Sequence, residues 1–256
     1  MPNQTTVAQK AREARKRVLT MIHRAQTSHV ASNFSVIDIA TVLHEHLKPE
    51  DEVVWSKGWA AATIYYFLAV RGKIPFEDLD KFPNPPYIGL AETTVNGVLC
   101  NAGAVGHGAP IAVGIALGKK KARLPGNVYC IMSDGELNEG STWEAAMFAA
   151  HHKLDNLVFI IDCNKWQAMG RTFDVINLEP IDDRFEAFGF DVCRTNGHDY
   201  DALNWAIEYK YSVLTMPRVI VCDTIKGKGV SFMEDHLLYH YKNVDAETYE
   251  KAMAEL

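Results

Sequence analysis

The chain has 256 residues, 48% of them apolar and 23% charged, an ordinary balance for a folded globular protein and the wrong one for a disordered or low-complexity chain. Surface scaling would bury roughly 73% of the unfolded chain's surface in one compact unit of this length, so a substantial core is within reach. Lys and Arg total 26 against 32 Asp and Glu, a net charge of −6, which excludes the broad basic surface of a nucleic-acid binder and requires any anionic ligand to be held locally.

The N-terminal stretch has no apolar run of the kind a secretory signal carries. Ala11, Ala14, Val18, Ile22 and Ala25 recur at three and four residues and predict an amphipathic helix, with Arg12, Arg15, Lys16 and Arg17 on a solvated face. Ser35 followed by Asp38 resembles a capping box and predicts that a second helix opens there and runs to Leu47, stopped by Pro49. His44-Glu45-His46 lacks the spacing of a zinc site and reads as an exposed helix end. Ala60 to Val70 forms a third helical run. Lys81 to Cys100, with three prolines and two glycines, is a long loop of the sort that often carries function.

Gly103 to Gly108 leads into an Ala-rich helix ending in Lys119, Lys120 and Lys121, a sign that suits a helix C-terminus. This region, Ala102 to Gly118, is weakly polar but contains His107 and falls short of the about 20 apolar residues a membrane span needs. Asn127 to Met132 and Leu157 to Asp162 are continuous apolar runs, as expected of strands covered on both faces. Between them Ser141 with Glu144 makes a capping box, and Trp143, Ala146, Met147 and Ala150 supply the buried stripe of a helix. Phe190 to Arg194 and Arg218 to Thr224 read as strands joined by a helix from Tyr200 to Tyr209. The series predicts an α/β fold: a doubly wound, mostly parallel sheet flanked by helices, in a single domain over residues 1–256. The five cysteines are odd in number and widely spread, so they read as buried thiols in a reducing compartment, with cytoplasmic location expected.

In such sheets ligands bind beyond the carboxyl ends of the strands. Ser133-Asp134-Gly135 and Asp162-Cys163-Asn164 stand there, and Asp134 and Asn164 offer a carboxylate and an amide oxygen from adjacent strand ends. Mg²⁺ is bound in this way, by few protein oxygens with phosphate and water completing its shell. Gly135 permits close backbone approach to a phosphate. Taken singly, Asp134-Gly135 and Asn164-Lys165 each read first as a turn. The segment near Gly114 does not satisfy P-loop spacing, and the glycines at 103, 106 and 108 are out of order for a dinucleotide fingerprint.

Asp134-Gly135 followed about thirty residues later by Asn164 resembles a thiamine diphosphate motif, and Ser133 to Asn164 is similar over its whole length to the transketolase family. The likeness extends through Ser28 to Ser35, with Val30 for the usual Pro and Ala31 for Gly, through Gly103 to Gly108, and through Lys226 to Glu234. It implies the diphosphate-binding domain alone. It also implies that Asp134, Asn164 and the carbonyl of Trp166 hold Mg²⁺, that the Gly135 amide meets the diphosphate, and that Gly103 and Val105 line the cofactor beside His107. His29 and His240 would face substrate oxygens and shuttle protons. Glu139 matches an acid at the family's subunit interface, although favourable charge ahead of a helix is an equal reading.

The departures concern substrate. Ser133 replaces Gly, His107 replaces Gln, and Tyr239 and Tyr241 replace the Trp and Gly beside His240. Trp59 stands where the family has a donor-side His, and no histidine occurs between His46 and His107. The resemblance implies the N-terminal subunit of a split transketolase-like enzyme, using thiamine diphosphate and Mg²⁺ to pass a two-carbon ketol unit from a ketose-type donor to an aldehyde. A separate C-terminal transketolase-like subunit would supply the activating Glu in a two-plus-two complex, with a small sugar or 2-oxo substrate and neither nucleic acid nor membrane as partner. The alternatives are a 2-oxo-acid decarboxylase or dehydrogenase component transferring an acyl unit, and a degenerate domain kept as a scaffold.

Overall fold

A computed structural model describes residues 6–209 and 215–256; the first five residues of the stretch read for a secretory signal lie outside it. Five strands, β1 (Glu52–Trp55), β2 (Val128–Ser133), β3 (Leu157–Cys163), β4 (Asp191–Asn196) and β5 (Arg218–Asp223), pair in parallel in the order β1-β2-β3-β5-β4. Around them lie α1 (Val7–Ala25), α2 (Val30–His46), α3 (Ala61–Val70), α4 (Gly108–Ala122), α5 (Gly140–His151), α6 (Thr172–Val175), α7 (Ile181–Phe188), α8 (Tyr200–Glu208), α9 (Leu238–Tyr241) and α10 (Ala246–Glu255).

Right-handed crossovers dictate which helix covers which face. The chain crosses from β1 through β2 and β3 to β4 in one direction, which puts α4, α5 and α7 on one side. The return from β4 to β5 reverses the direction and puts α8 on the other, with α1, α2, α3 and α10. Each strand therefore feeds two cores. On β3, Phe159 and Ile161 pack with the α4, α5 and α7 group, while Val158 and Ile160 pack with the α1 and α2 group. Beyond their carboxyl ends β3 and β5 send their chains to opposite faces, which opens a crevice at that edge of the sheet. Among the described residues no helix is long and apolar enough to cross a membrane. Four of the five cysteines are buried and all five are free thiols.

Several local expectations are corrected. Helix α2 begins at Val30, and Ser35 lies inside it, donating to Asp162 Oδ2 at 2.6 Å instead of capping. Residues 30–43 are all buried, and a helix covered on every side has no apolar period to mark its start. Arg15 is not solvated: it pairs with Asp38 at 2.6 Å with both side chains buried. His44 stacks on Phe67 at 4.5 Å instead of lying exposed, and burial lowers it to about 4. Helix α5 starts at Gly140 with Glu139 as N-cap, because Ser141 Oγ donates to the Gly106 carbonyl at 2.8 Å. Its buried stripe is Thr142, Ala145, Ala146 and Ala149, small residues that admit α4, whereas Met147 is half exposed. Strand β1, at four residues, is too short to carry a periodic signal, whereas α7 and α10 are amphipathic helices that the sequence reading leaves out.

Candidate functional site

The carboxyl edge of the sheet brings four chain segments together. Strand β1 delivers Lys57 and Gly58, β2 delivers Ser133, Gly135 and Glu136, β3 delivers Asn164, and β5 leads to Lys226. With His29 and Ser32 from the start of α2, Trp59, Val105, Trp166, His240 and Tyr241, they line a cavity of about 340 Å³. Asp134, directly behind its wall, also lines a second cavity of about 470 Å³ reaching toward α6 and α7.

The floor is a buried charge network. Asp162, fully buried, accepts hydrogen bonds from Ser35, Thr224 and the Lys57 ammonium. Burial alone would raise its carboxyl, but the Lys57 charge and these bonds hold it below the usual carboxylate range. Lys226 is buried with no acid bonded to it among the described residues; its ammonium donates to Ser32 Oγ at 3.1 Å. Burial, and after it the like charge of Lys57, push Lys226 down to about 7. An ammonium in this state favours an anion beside it.

Register Ser133↔Asp162 puts the ends of β2 and β3 side by side, so Asp134 and Asn164 emerge as neighbours. The Asp134 carboxylate accepts the Gly135 N–H at 2.9 Å and the Lys165 N–H at 2.6 Å, and Asn164 Oδ1 accepts the Trp166 N–H at 3.1 Å. Burial and the nearby Asp162 charge push Asp134 up to about 7. The loop carrying Trp166 is fastened: the Arg171 guanidinium lies 3.9 Å over the indole and pairs with both Asp235 oxygens at 2.7 and 2.6 Å, while Trp166 Nε1–H donates to Asp235 at 2.8 Å.

His29 sits at the α2 N-cap in the left-handed region, φ 71, and its N–H donates to the His240 carbonyl at 3.1 Å. The two rings are 4.8 Å apart, and Trp59 stacks on His29 at 4.7 Å. His29 Nδ1 lies 2.6 Å from Ser28 Oγ, which leaves Nε2 for the cavity. Burial, then the Lys226 charge, lower His29 to about 4 and His240 to about 3, so both are neutral at pH 7. Glu136, fully buried, accepts hydrogen bonds from Ser56 and, at 3.0 Å, from the Gly106 N–H, tying the Gly103 to Gly108 loop to β2; its Oε2 has no partner among the described residues.

Of the residues singled out in the sequence, His29, Val105, Gly135, Asn164, Trp166 and His240 converge on this cavity, with Asp134 behind it. Gly103 and His107 do not line it: Gly103 faces Leu90, and His107 is exposed at the N-cap of α4. Glu139 is exposed at the start of α5, outside the cavity. Sequence reasoning missed Ser32, Lys57, Glu136, Asp162 and Lys226. Lys57 and Lys226 lie two and three residues past β1 and β5, and because a lysine is by default a surface residue nothing in the sequence alone marks their burial.

Against known proteins, residues 7–254 match the model of the family described as transketolase, thiamine diphosphate binding domain. The chain belongs to the transketolase family. It is 35% identical over 268 residues to the 6-deoxy-6-sulfo-D-fructose transketolase subunit SqwG of Clostridium sp. (strain MSTE9), covering 99% of this chain and 97% of that relative. An apulose-4-phosphate transketolase subunit of Phocaeicola vulgatus is 34% identical over 263 residues, covering 98% and 94%. The crystal structure of Campylobacter jejuni transketolase superposes with a TM-score of 0.91 at 32% identity, over all of this chain and 43% of that one. The transketolase fold is thus present through its diphosphate-binding part, and the doubly wound sheet read from the sequence is the one observed.

Proposed function

We propose that this chain is the N-terminal subunit of a two-subunit transketolase-like enzyme, which moves a two-carbon ketol unit from a ketose-type donor to an aldehyde with thiamine diphosphate and Mg²⁺. The observation that carries the reading is the juxtaposition of Asp134 and Asn164 at neighbouring strand ends above a cavity walled by Lys226, His29 and His240.

The residues present fit both groups. Asp134, Asn164 and the Trp166 carbonyl form an all-oxygen donor set of a single carboxylate, suited to Mg²⁺ that keeps phosphate and water in its shell. A carboxylate that burial pushes up to about 7 gains from a cation beside it. The buried Lys226 ammonium would meet the diphosphate, and the Gly135 N–H, which donates to Asp134, would be shared between that carboxylate and the diphosphate. Bound here, thiamine diphosphate supplies the electron sink that lets a carbon–carbon bond beside a carbonyl break. His29 is placed to hold or move a substrate hydroxyl proton at Nε2, and its neutral ring can take up the charge that the step creates. His240 stands edge-on to it as the second proton carrier. Val105 would pack against the cofactor.

The partner is the remaining part of a transketolase. Both relatives are named as subunits, and the chain spans 43% of the Campylobacter enzyme. Met169, Phe173, Leu238 and Tyr241 are more than half exposed beside the two cavities, apolar surface that a partner would cover. Glu139 would lie at the contact between two copies in a two-plus-two complex. The 2-oxo-acid reading is not favoured, because the relatives are transketolases. Mixing the chain with its cognate C-terminal subunit, several ketose phosphates and an aldehyde should give ketol transfer, and Asp134→Ala should abolish it together with Mg²⁺-dependent cofactor binding. Release of CO₂ from 2-oxo acids without ketol transfer would overturn the reading.

A further inference from the structure

The segment that carries Lys226 has reasons to leave the cavity. Gly227 and Gly229 both hold positive φ, 82 and 99, in a turn closed locally by the Asp235 N–H to the Lys226 carbonyl at 2.8 Å and the Gly227 N–H to the Ala31 carbonyl at 3.0 Å, and a buried ammonium gains solvation by swinging outward. Something must oppose that motion.

Beyond these two bonds, the opposition comes from a carboxylate on α2. Asp38 accepts four hydrogen bonds: two from the Arg15 guanidinium at 2.9 and 2.6 Å, one from the Tyr200 hydroxyl at 2.9 Å, and one at His198 Nδ1 at 2.7 Å. Two of these partners then reach the Lys226 segment. The Ile225 N–H donates to His198 Nε2 at 2.8 Å, and Arg15 Nε–H donates to the Lys228 carbonyl at 2.9 Å. Because Nε2 accepts, the imidazole proton resides on Nδ1, facing Asp38. One carboxylate therefore fixes the backbone on both sides of Lys226 through two intermediaries.

We propose that Asp38, acting through His198 and Arg15, is a positioning residue that keeps the Lys226 ammonium in the cavity. The inference rests on the assignment of Lys226 to the cofactor diphosphate. Asp38 does not line the cavity, and its four bonds are all accounted for by Arg15, His198 and Tyr200. Burial would raise the Asp38 carboxyl, but the His198 bond and the Arg15 charge outweigh it and hold Asp38 at about 2, so the hub is ionised at neutral pH.

The test is a double-mutant cycle on the chain assembled with its C-terminal subunit, with thiamine diphosphate titrated at fixed Mg²⁺ by calorimetry. His198→Ala should weaken binding about tenfold, and Lys226→Met on the order of a hundredfold. The double variant should bind no more weakly than Lys226→Met alone. If His198→Ala costs the same factor with and without Lys226, the positioning role is overturned while the diphosphate role of Lys226 stands. If Lys226→Met leaves affinity unchanged, the diphosphate assignment itself falls and the inference falls with it. Amide exchange in the cofactor-free chain reads the clamp separately: His198→Ala should speed exchange at residues 225–229 without changing β3, and unchanged exchange there would overturn the clamp. Should His198→Ala fail to fold, Arg15→Met cuts the other arm and should give the same coupling to Lys226.

Discussion

Lys57 and Asp162 form an ion pair beneath the cavity in which the lysine side chain is 6% exposed and the aspartate is wholly buried. Such a pair contributes little net stability as a pair, since desolvation offsets attraction, but removing one partner strands the other. Lys57→Met leaves the Asp162 carboxylate with only Ser35 and Thr224. The expected cost is about 3–5 kcal/mol of unfolding free energy, read by chemical denaturation. Combining it with Asp162→Asn should recover much of that loss. A single-variant cost under about 1 kcal/mol would mean that water reaches the pair.

Lys226 gives a pH dependence with a definite sign. In the folded chain its ammonium is lowered to about 7, against 10.5 for an ordinary lysine. Between these values the unfolded chain binds more protons than the folded one, so the contribution of Lys226 to stability rises with pH across that window. Cofactor binding runs the other way. A diphosphate favours the charged amine, so binding above pH 7 should take up a proton, and affinity should fall as pH rises. Calorimetry in buffers of different ionisation enthalpy measures the uptake directly, and Lys226→Met should remove it.

The Arg171–Asp235 pair should matter for Mg²⁺ more than for folding. Its side chains are 37% and 52% exposed, which limits the stabilising effect of the pair to about 1 kcal/mol or less. Yet Asp235 also receives the Trp166 indole N–H, so the pair fixes the loop whose carbonyl is assigned to the metal. Arg171→Ala should leave the melting temperature within a few degrees of wild type and raise the Mg²⁺ concentration needed for half-maximal cofactor binding about tenfold. Unchanged Mg²⁺ dependence would separate the latch from the site.

What could be read from the sequence divides along physical lines. Asp134 and Asn164 are legible because each closely follows an apolar run, which places both near strand ends, and their thirty-residue separation then pairs them. The helix across Ser35 was misplaced for the converse reason: α2 is buried on every side, so its polar residues serve the site and not solvent, and Ser35 looks like a cap only when Asp162 is out of view. Lys57 and Lys226 carry no mark in the sequence that sets them apart from surface lysines. Their burial depends on the partners Asp162 and Ser32, which reach them from β3 and α2. Strand β1, at four residues, is too short to carry a period at all.

Trp59 is where the family resemblance breaks, and the structure gives that departure a consequence. Its indole stacks on His29 with 17° between the planes, while Ser28 holds Nδ1 of the same ring. The imidazole is thereby fixed on one face and one nitrogen, with Nε2 as its remaining reach into the cavity. Loss of that stacking should be felt in the proton-transfer step and not in cofactor affinity, because the Asp134 and Lys226 contacts are untouched. Trp59→Ala should lower kcat about tenfold at unchanged thiamine diphosphate affinity, Trp59→Phe should retain most activity, and His29→Ala should cost on the order of a hundredfold. In the His29→Ala background Trp59→Ala should add nothing further. An additional loss there would show that the indole contacts substrate directly, and a panel of donors differing in one hydroxyl would then locate the contact.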